Sequence, residues 1–72
     1  MKMKTYEIYD ADPMQDPDSH WHEPIRAKSV DGVRRQARAR VKGYSEYPVG
    51  TTLWYIGREQ DGSMSDSGTF TL

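Results

Sequence analysis

Two histidines flank a tryptophan within an acidic stretch, and imidazole nitrogens are common metal ligands. His20 and His22 lie two residues apart, so on an extended strand both rings point to the same side. A metal site needs three or four ligands in a fixed geometry, held by groups that orient them, and nothing in this spacing fixes that geometry. We therefore predict no metal and no cofactor. The alternative is that Trp21 packs onto the sheet and anchors its loop.

Calcium binding and catalysis are also poorly supported by the sequence. The acidic stretch has the composition of a calcium loop, but no register contains both the glycine and the glutamate that such a loop requires. Ser63, Ser65 and Ser67 lie in a polar segment with no histidine nearby, and the chain has neither a cysteine nor a glycine-rich phosphate loop. Because so small a domain rarely encloses a desolvated pocket, we predict that the protein is not an enzyme.

Charge is strongly segregated along the chain. Six acids and no lysine or arginine occur from Glu7 to Glu23, whereas seven bases and one acid occur from Arg26 to Lys42, although the net charge is only −1. Two arrangements are open. The two segments neutralise each other within the fold, or they form separate charged surfaces that face a partner.

Length and composition indicate one small domain. The chain has 72 residues, 35% of them hydrophobic, and eight aromatic residues that supply much of the possible core. The absence of cysteine excludes a disulfide scaffold. No apolar run is long enough to cross a membrane and the N-terminus is not typical of a signal peptide, so we expect a soluble, cytoplasmic protein.

The hydrophobic pattern predicts four strands and one helix. Residues 11–24 form a long, acidic, proline-rich loop, and Ser29 caps the helix. Asp61-Gly62 is typical of a two-residue type I′ hairpin, in which the numbers of paired residues add up to 123; a wider loop over residues 63–68 is the alternative. The predicted elements are strands at Lys2–Tyr9, Ile25–Lys28 and Gly50–Glu59, a helix at Val30–Lys42, and a last strand that ends at Leu72.

These elements predict a single α+β domain over residues 1–72, in the order β-β-α-β-β. One helix covers one face of a four-stranded, mainly antiparallel sheet. The sheet side of the core consists of Tyr6, Ile8, Ile25, Ala27, Leu53, Tyr55, Phe70 and Leu72. The helix side consists of Val30, Val33, Ala37, Val41 and Tyr44. The other sheet face has no helix to cover it, so Trp54 and Ile56 are predicted to be exposed and to mark an interface.

The opposite side of the helix is strongly basic. It carries Arg34, Arg35, Arg38 and Lys42, and arginine suits bidentate contacts at interfaces. We expect no acid at helical spacing to compensate this run, so that it repels itself unless a partner neutralises it. The alternatives are a solvated helix face, a phosphate-binding face, or a face that docks on an acidic protein.

The layout resembles that of one group of small proteins. The features that carry the resemblance are the strand KTYEIY at Lys4–Tyr9, the cap at Ala27-Lys28-Ser29, the start of a strand at Gly50–Leu53, and a polar terminal hairpin. The chain is similar to small proteins of phages and mobile elements that include type I CRISPR–Cas inhibitors, the anti-CRISPR proteins. The resemblance implies a β-β-α-β-β fold and a non-enzymatic protein that binds a Cas subunit at a nucleic-acid-binding surface. It transfers no individual residue, and loop 11–24 departs from it.

We therefore predict a protein-binding inhibitor that acts by steric and electrostatic occlusion. The acidic loop enters a basic groove of the Cas subunit or effector complex, or the basic helix docks on an acidic surface with Trp54 and Ile56 as apolar anchors. The alternative function is a small nucleic-acid-binding module built on the helix. We expect no tight binding to free nucleic acid, no membrane contact, and a monomer or weak dimer. The candidate contact residues are Asp12, Asp16, Asp18, Glu23, Arg34, Arg35, Arg38, Lys42, Trp54 and Ile56.

Overall fold

Four strands and one helix follow each other in the predicted order in a computed structural model, which describes residues 3–72. A short 3₁₀ helix at Pro17–Ser19 interrupts the long loop. Lys2, which was predicted in the first strand, lies outside the described residues. The elements are β1 at Lys4–Tyr9, β2 at Ile25–Ala27, α1 at Val30–Arg40, β3 at Thr52–Arg58 and β4 at Met64–Thr71.

The strands form one antiparallel sheet in the order β2-β1-β3-β4, and α1 packs against β2 and β4 on one face. The predicted α+β class is therefore confirmed. Within residues 3–72, no helix is long and apolar enough to cross a membrane.

The helix begins at the predicted cap and ends earlier than predicted. The Ser29 hydroxyl accepts a hydrogen bond from the Gly32 amide at 3.3 Å, which satisfies a free donor of the first turn. The helix ends at Arg40, and Gly43 beyond it has a φ of +87°, a conformation that favours glycine. Tyr44 was predicted on the buried stripe, but its side chain is 59% exposed. The prediction was wrong because helical periodicity does not continue past the helix end.

The core lies between the helix and one face of the sheet, as predicted. Tyr55 of the sheet and Val30 of the helix are half-buried, and both pack against the core at its edge. The buried residues of this cluster are Tyr6, Ile8, Ile25, Ala27, Val33, Ala37, Val41, Leu53, Phe70 and Leu72.

The register of the terminal hairpin is confirmed, whereas the predicted turn is wrong. Partners from Thr52 and Thr71 to Gly57 and Asp66 follow the predicted pairing, but Arg58 pairs with Met64, because Ser65 is an extra residue in β4. A three-residue loop, 60–62, closes the hairpin, and the Gly62 amide donates to the Glu59 carbonyl at 3.0 Å. Among the described residues only glycines have a positive φ, so Asp61 does not take the type I′ conformation.

Two helix side chains fix the loop and β2 to α1. Gln36 donates to the carbonyl of Arg26 at 2.9 Å. Arg40, one turn later, donates to the carbonyls of Glu23 and Pro24 at 2.7 and 3.1 Å. Arg40 therefore has a structural role, since its guanidinium satisfies backbone acceptors beside a short edge strand.

The sheet face away from the helix is less exposed than predicted. Trp54 and Ile56 are half-buried, and Tyr9, the partner of Trp54 across β1 and β3, is only 9% exposed. The expectation that Trp54 and Ile56 are exposed was wrong, because neighbouring side chains on a twisted sheet cover each other even without a helix. This face is a weaker candidate for an interface than the sequence suggests.

The buried tyrosines predict a loss of stability in alkali. Burial raises the pKa of Tyr6, Tyr9, Tyr47 and Tyr55 above the ordinary value, and the Asp10 carboxylate beside Tyr47 raises its pKa further. A group whose folded pKa is raised stabilises the fold below its unfolded pKa, about 10 for tyrosine, and loses that contribution as pH rises through the folded pKa.

We therefore expect the urea midpoint to be constant from about pH 8 to about pH 9.5 and to fall steeply above about pH 10. Tyr47→Phe should lower the midpoint below about pH 10, because a hydrogen bond to Asp10 is lost, and should flatten the decline above it, because phenylalanine has no proton to lose. A midpoint that stays constant through about pH 11 would contradict the assigned burial.

Candidate partner-binding surface

The predicted contact residues fall into four separate regions of the molecule. Asp12, Asp16, Asp18 and Glu23 belong to the loop 11–24, and Trp54 and Ile56 lie on the sheet face opposite the helix. The basic residues fall into two groups: Arg34 and Arg35 lie beside Asp31, with Arg34 near Phe70 and Thr71, whereas Arg38 in the last turn of α1 and Lys42 just beyond its end lie near Leu72. Of the predicted contact residues, Arg38 and Lys42 are therefore the two that lie beside an apolar surface that the sequence did not predict.

Loop 11–24 is tied to the sheet at both ends. The Trp21 amide donates to the Ile8 carbonyl at 2.7 Å and the Asp10 amide donates to the Ser19 carbonyl at 3.1 Å. His20 forms an isolated bridge with Tyr9. A loop of this length is usually mobile, but these bonds close its base and leave only residues 12–18 to project.

Asp10 links this loop to a second one. Its Oδ1 atom accepts hydrogen bonds from the Trp21 indole and from the Tyr47 hydroxyl, each at 2.8 Å. The two rings meet edge to face with centroids 5.6 Å apart, and both pack against the core. Trp21 thus anchors the loop, as one alternative predicted. The sequence showed no sign of the Tyr47 contact, because 37 residues separate the partners.

The four loop carboxylates predicted as contact residues have no cationic partner in the described part of the chain. Asp16, Asp18 and Glu23 are exposed and Asp12 is half-buried, with its Oδ1 accepting a hydrogen bond from the Met14 amide at 2.9 Å. The acids of the ion pairs among residues 3–72 are Glu7, Asp31 and Glu59, and none of them lies in loop 11–24. The first of the two open arrangements, internal neutralisation of the segments, is therefore not found.

The basic helix is partly neutralised from within. Asp31 accepts from Arg34 at 2.8 Å and from Arg35 at 2.9 Å, three and four residues further on. These contacts, with Arg35 the stronger, lower the pKa of Asp31 below its usual value. The expectation that no acid compensates the run was wrong, because Asp31 lies within reach at helical spacing. Arg38 and Lys42 have no such partner in the described range.

Arg38 and Lys42 border an apolar groove of about 480 Å³. Tyr44 and Val49 stand on this groove, 59% and 83% exposed, and an exposed tyrosine beside an arginine is typical of protein interfaces. The apolar residues that line it, named here the Tyr44 patch, are Ala39, Val41, Tyr44, Tyr47, Pro48, Val49 and Leu72.

A second groove of about 360 Å³ adjoins the first and shares Val41, Tyr44 and Tyr47 with it. Its remaining lining consists of Asp10, His20, Trp21, His22 and Arg40. The second groove therefore connects the Tyr44 patch to the base of the acidic loop. Across the two grooves lie, in turn, Arg38 and Lys42, the apolar patch, and Asp10 at the base of the acidic loop.

The two histidines line this second groove, with ring centroids 6.5 Å apart. Within residues 3–72, no three metal-ligating side chains are grouped so that they could hold an ion. The arrangement is suited to noncovalent contacts with aromatic, apolar and charged groups of a partner.

Comparisons with known proteins give no relative: no protein-family model, no curated protein and no solved structure matches the chain. The candidate surface therefore rests on its own geometry.

Proposed function

We propose that the protein is a non-enzymatic, protein-binding inhibitor that covers a nucleic-acid-binding surface of its partner. In its most specific form, the protein is an anti-CRISPR protein of phage or mobile-element origin that acts in the host cytoplasm on a type I effector complex. One observation carries the proposal: an exposed apolar patch lies between two oppositely charged segments that do not neutralise each other.

The acidic loop supplies the inhibitory chemistry in this proposal. Grooves that bind nucleic acid are lined with lysine and arginine, and a set of projecting carboxylates competes with phosphates for the same cations. The bonds from Trp21 and Tyr47 to Asp10 hold the base of the loop, so less conformational entropy is lost on binding than with a free loop.

The Tyr44 patch supplies the affinity. Exposed carboxylates alone give weak, salt-sensitive contacts, whereas buried aromatic and apolar anchors account for most of the binding energy in protein interfaces. Tyr44 is an exposed aromatic side chain beside Arg38, and tyrosine and arginine are enriched among such anchors, while exposed Val49 adds apolar area.

The geometry favours a protein partner over free nucleic acid. Of the helix cations, Arg34 and Arg35 are paired with Asp31, and Arg40 is bonded to backbone carbonyls. Phosphate binding by the helix segment would therefore depend mainly on Arg38 and Lys42, close to a groove that leads toward the acidic loop. We expect no sub-micromolar binding to free DNA or RNA near physiological salt, about 0.15 M.

The test measures target-DNA binding by purified type I effector complexes of several subtypes, in the presence of increasing amounts of the protein. We expect the wild-type protein to abolish DNA binding by at least one complex. Asp16→Asn/Asp18→Asn should weaken inhibition at least about tenfold without changing the thermal midpoint, because each lost ionic contact contributes about 1 kcal/mol or more. Asp12 is left unchanged, since its side chain holds the turn at Met14.

The control variant is Glu59→Gln/Gln60→Lys, which raises the net charge by the same amount at the exposed hairpin tip. This variant should inhibit as the wild type does. Equal loss in both double variants would attribute the effect to net charge and contradict the loop assignment. Undisturbed DNA binding in every effector complex would overturn the anti-CRISPR assignment itself.

A further inference from the structure

Met14 is the most exposed of the large hydrophobic side chains in the described residues, with 91% of its surface accessible. It lies at the projecting end of the acidic loop, between Asp12 and the pair Asp16 and Asp18. Met14 makes almost no contact within its own chain, so its burial would have to come from another molecule. A flexible thioether side chain adapts readily to an apolar groove.

The groove lined by the Tyr44 patch, named here the Tyr44 groove, has the complementary chemistry. Its lining is largely apolar, with buried Val41 and Leu72 beneath exposed Val49. Arg38 and Lys42 border it as cations that lack an ionic partner in the described chain. The groove therefore suits an apolar side chain that is flanked by carboxylates, and the tip of the acidic loop has this composition.

We propose that two copies of this chain associate as a two-fold dimer, in which the acidic loop of each copy enters the Tyr44 groove of the other. Met14 occupies the apolar part of the groove, and Asp16 and Asp18 face Arg38 and Lys42 of the second copy. Such a contact is self-complementary, because each copy contributes both a loop and a groove, so the assembly closes at two copies. The net charge of −1 opposes association only slightly.

This inference goes beyond the proposed function and does not depend on it, because the test contains no partner other than the chain itself. Two charge-reversed variants are compared by sedimentation equilibrium. One carries Asp16→Lys/Asp18→Lys in the loop, and the other carries Arg38→Glu/Lys42→Glu at the groove. All four positions are exposed, so both variants should keep the wild-type circular dichroism spectrum.

We expect the wild-type mass to rise toward that of a dimer between about 10 µM and about 1 mM, and to rise less in high salt. Each charge-reversed variant alone should stay monomeric over this range, because its loop and its groove then carry like charges. An equimolar mixture of the two should associate, since the lysines of one loop meet the glutamates of one groove while the other loop and groove are native. Met14→Gln should weaken wild-type association about tenfold through loss of apolar burial.

A wild-type chain that stays monomeric at about 1 mM would overturn the proposal. Unchanged dimerisation of both charge-reversed variants would overturn it too, because the copies would then meet through another face. A mixture of the variants that fails to associate, while the wild type does, would exclude the reciprocal contact between loop and groove.

Discussion

Replacing Ile8 with alanine should leave the folded and unfolded forms of the protein in comparable amounts at room temperature. Ile8 is completely buried at the centre of the sheet, beneath the helix. Truncation of such an isoleucine costs about 4 kcal/mol, through lost burial and the cavity that remains. A domain of this size is stable by only about 3–5 kcal/mol, so the loss removes nearly all of its stability. Far-UV circular dichroism and urea titration measure the effect.

Ile56→Ala is the matched control, because it removes the same atoms from the adjacent strand on the opposite sheet face. Ile56 is half-buried, so we expect a loss of about 1 kcal/mol. Ile8→Val keeps the test quantitative if Ile8→Ala is wholly unfolded, with an expected loss of about 1 kcal/mol. Equal losses for the two alanine variants would contradict the assignment of the core to the helix side.

Much of the fold could be predicted from the sequence because local signals and the hydrophobic pattern agree. The alternation in β1 and β3 assigned Ile8 and Leu53 to the core, and Ser29 marked the start of the helix. The hairpin register was correct because a shift of β4 by one residue would turn Phe70 away from the core face. The predicted type I′ turn was wrong, because Asp-Gly also suits a three-residue loop in which only the glycine has a positive φ.

The candidate site was less predictable, because its contacts join segments that are distant in the sequence. No local signal indicates that Asp10 accepts hydrogen bonds from both Trp21 and Tyr47. The Tyr44 groove was missed because Tyr44 was placed on the buried helix stripe, which in fact ends before it. Charge segregation was visible from the order of the charged residues along the chain. The pairing of Asp31 with Arg34 and Arg35 was not, because it depends on side-chain reach.

The same substitution, glycine to alanine, should have opposite effects at two positions. Gly57 is buried on the helix side of the central strand β3. A Cβ atom there would overlap Asp66 Oδ1 and lie 3.0 Å from the Tyr6 ring. Asp66 can rotate away, whereas the buried Tyr6 ring has little room to move. We therefore expect Gly57→Ala to cost about 2 kcal/mol, as overpacking of a filled core does.

Gly32 lies in the first turn of α1, where an added Cβ atom comes no closer than 3.4 Å to Ala27. Alanine loses less backbone entropy in a helix than glycine, and the Gly32 amide would still donate to Ser29, so Gly32→Ala should stabilise by about 0.5–1 kcal/mol. Urea midpoints of the two variants, compared with the wild type, should move in opposite directions. If Gly57→Ala were instead stabilised, the Tyr6 ring and Asp66 of β4 would have to move away from the added methyl group. The core between helix and sheet would then have free space at this position.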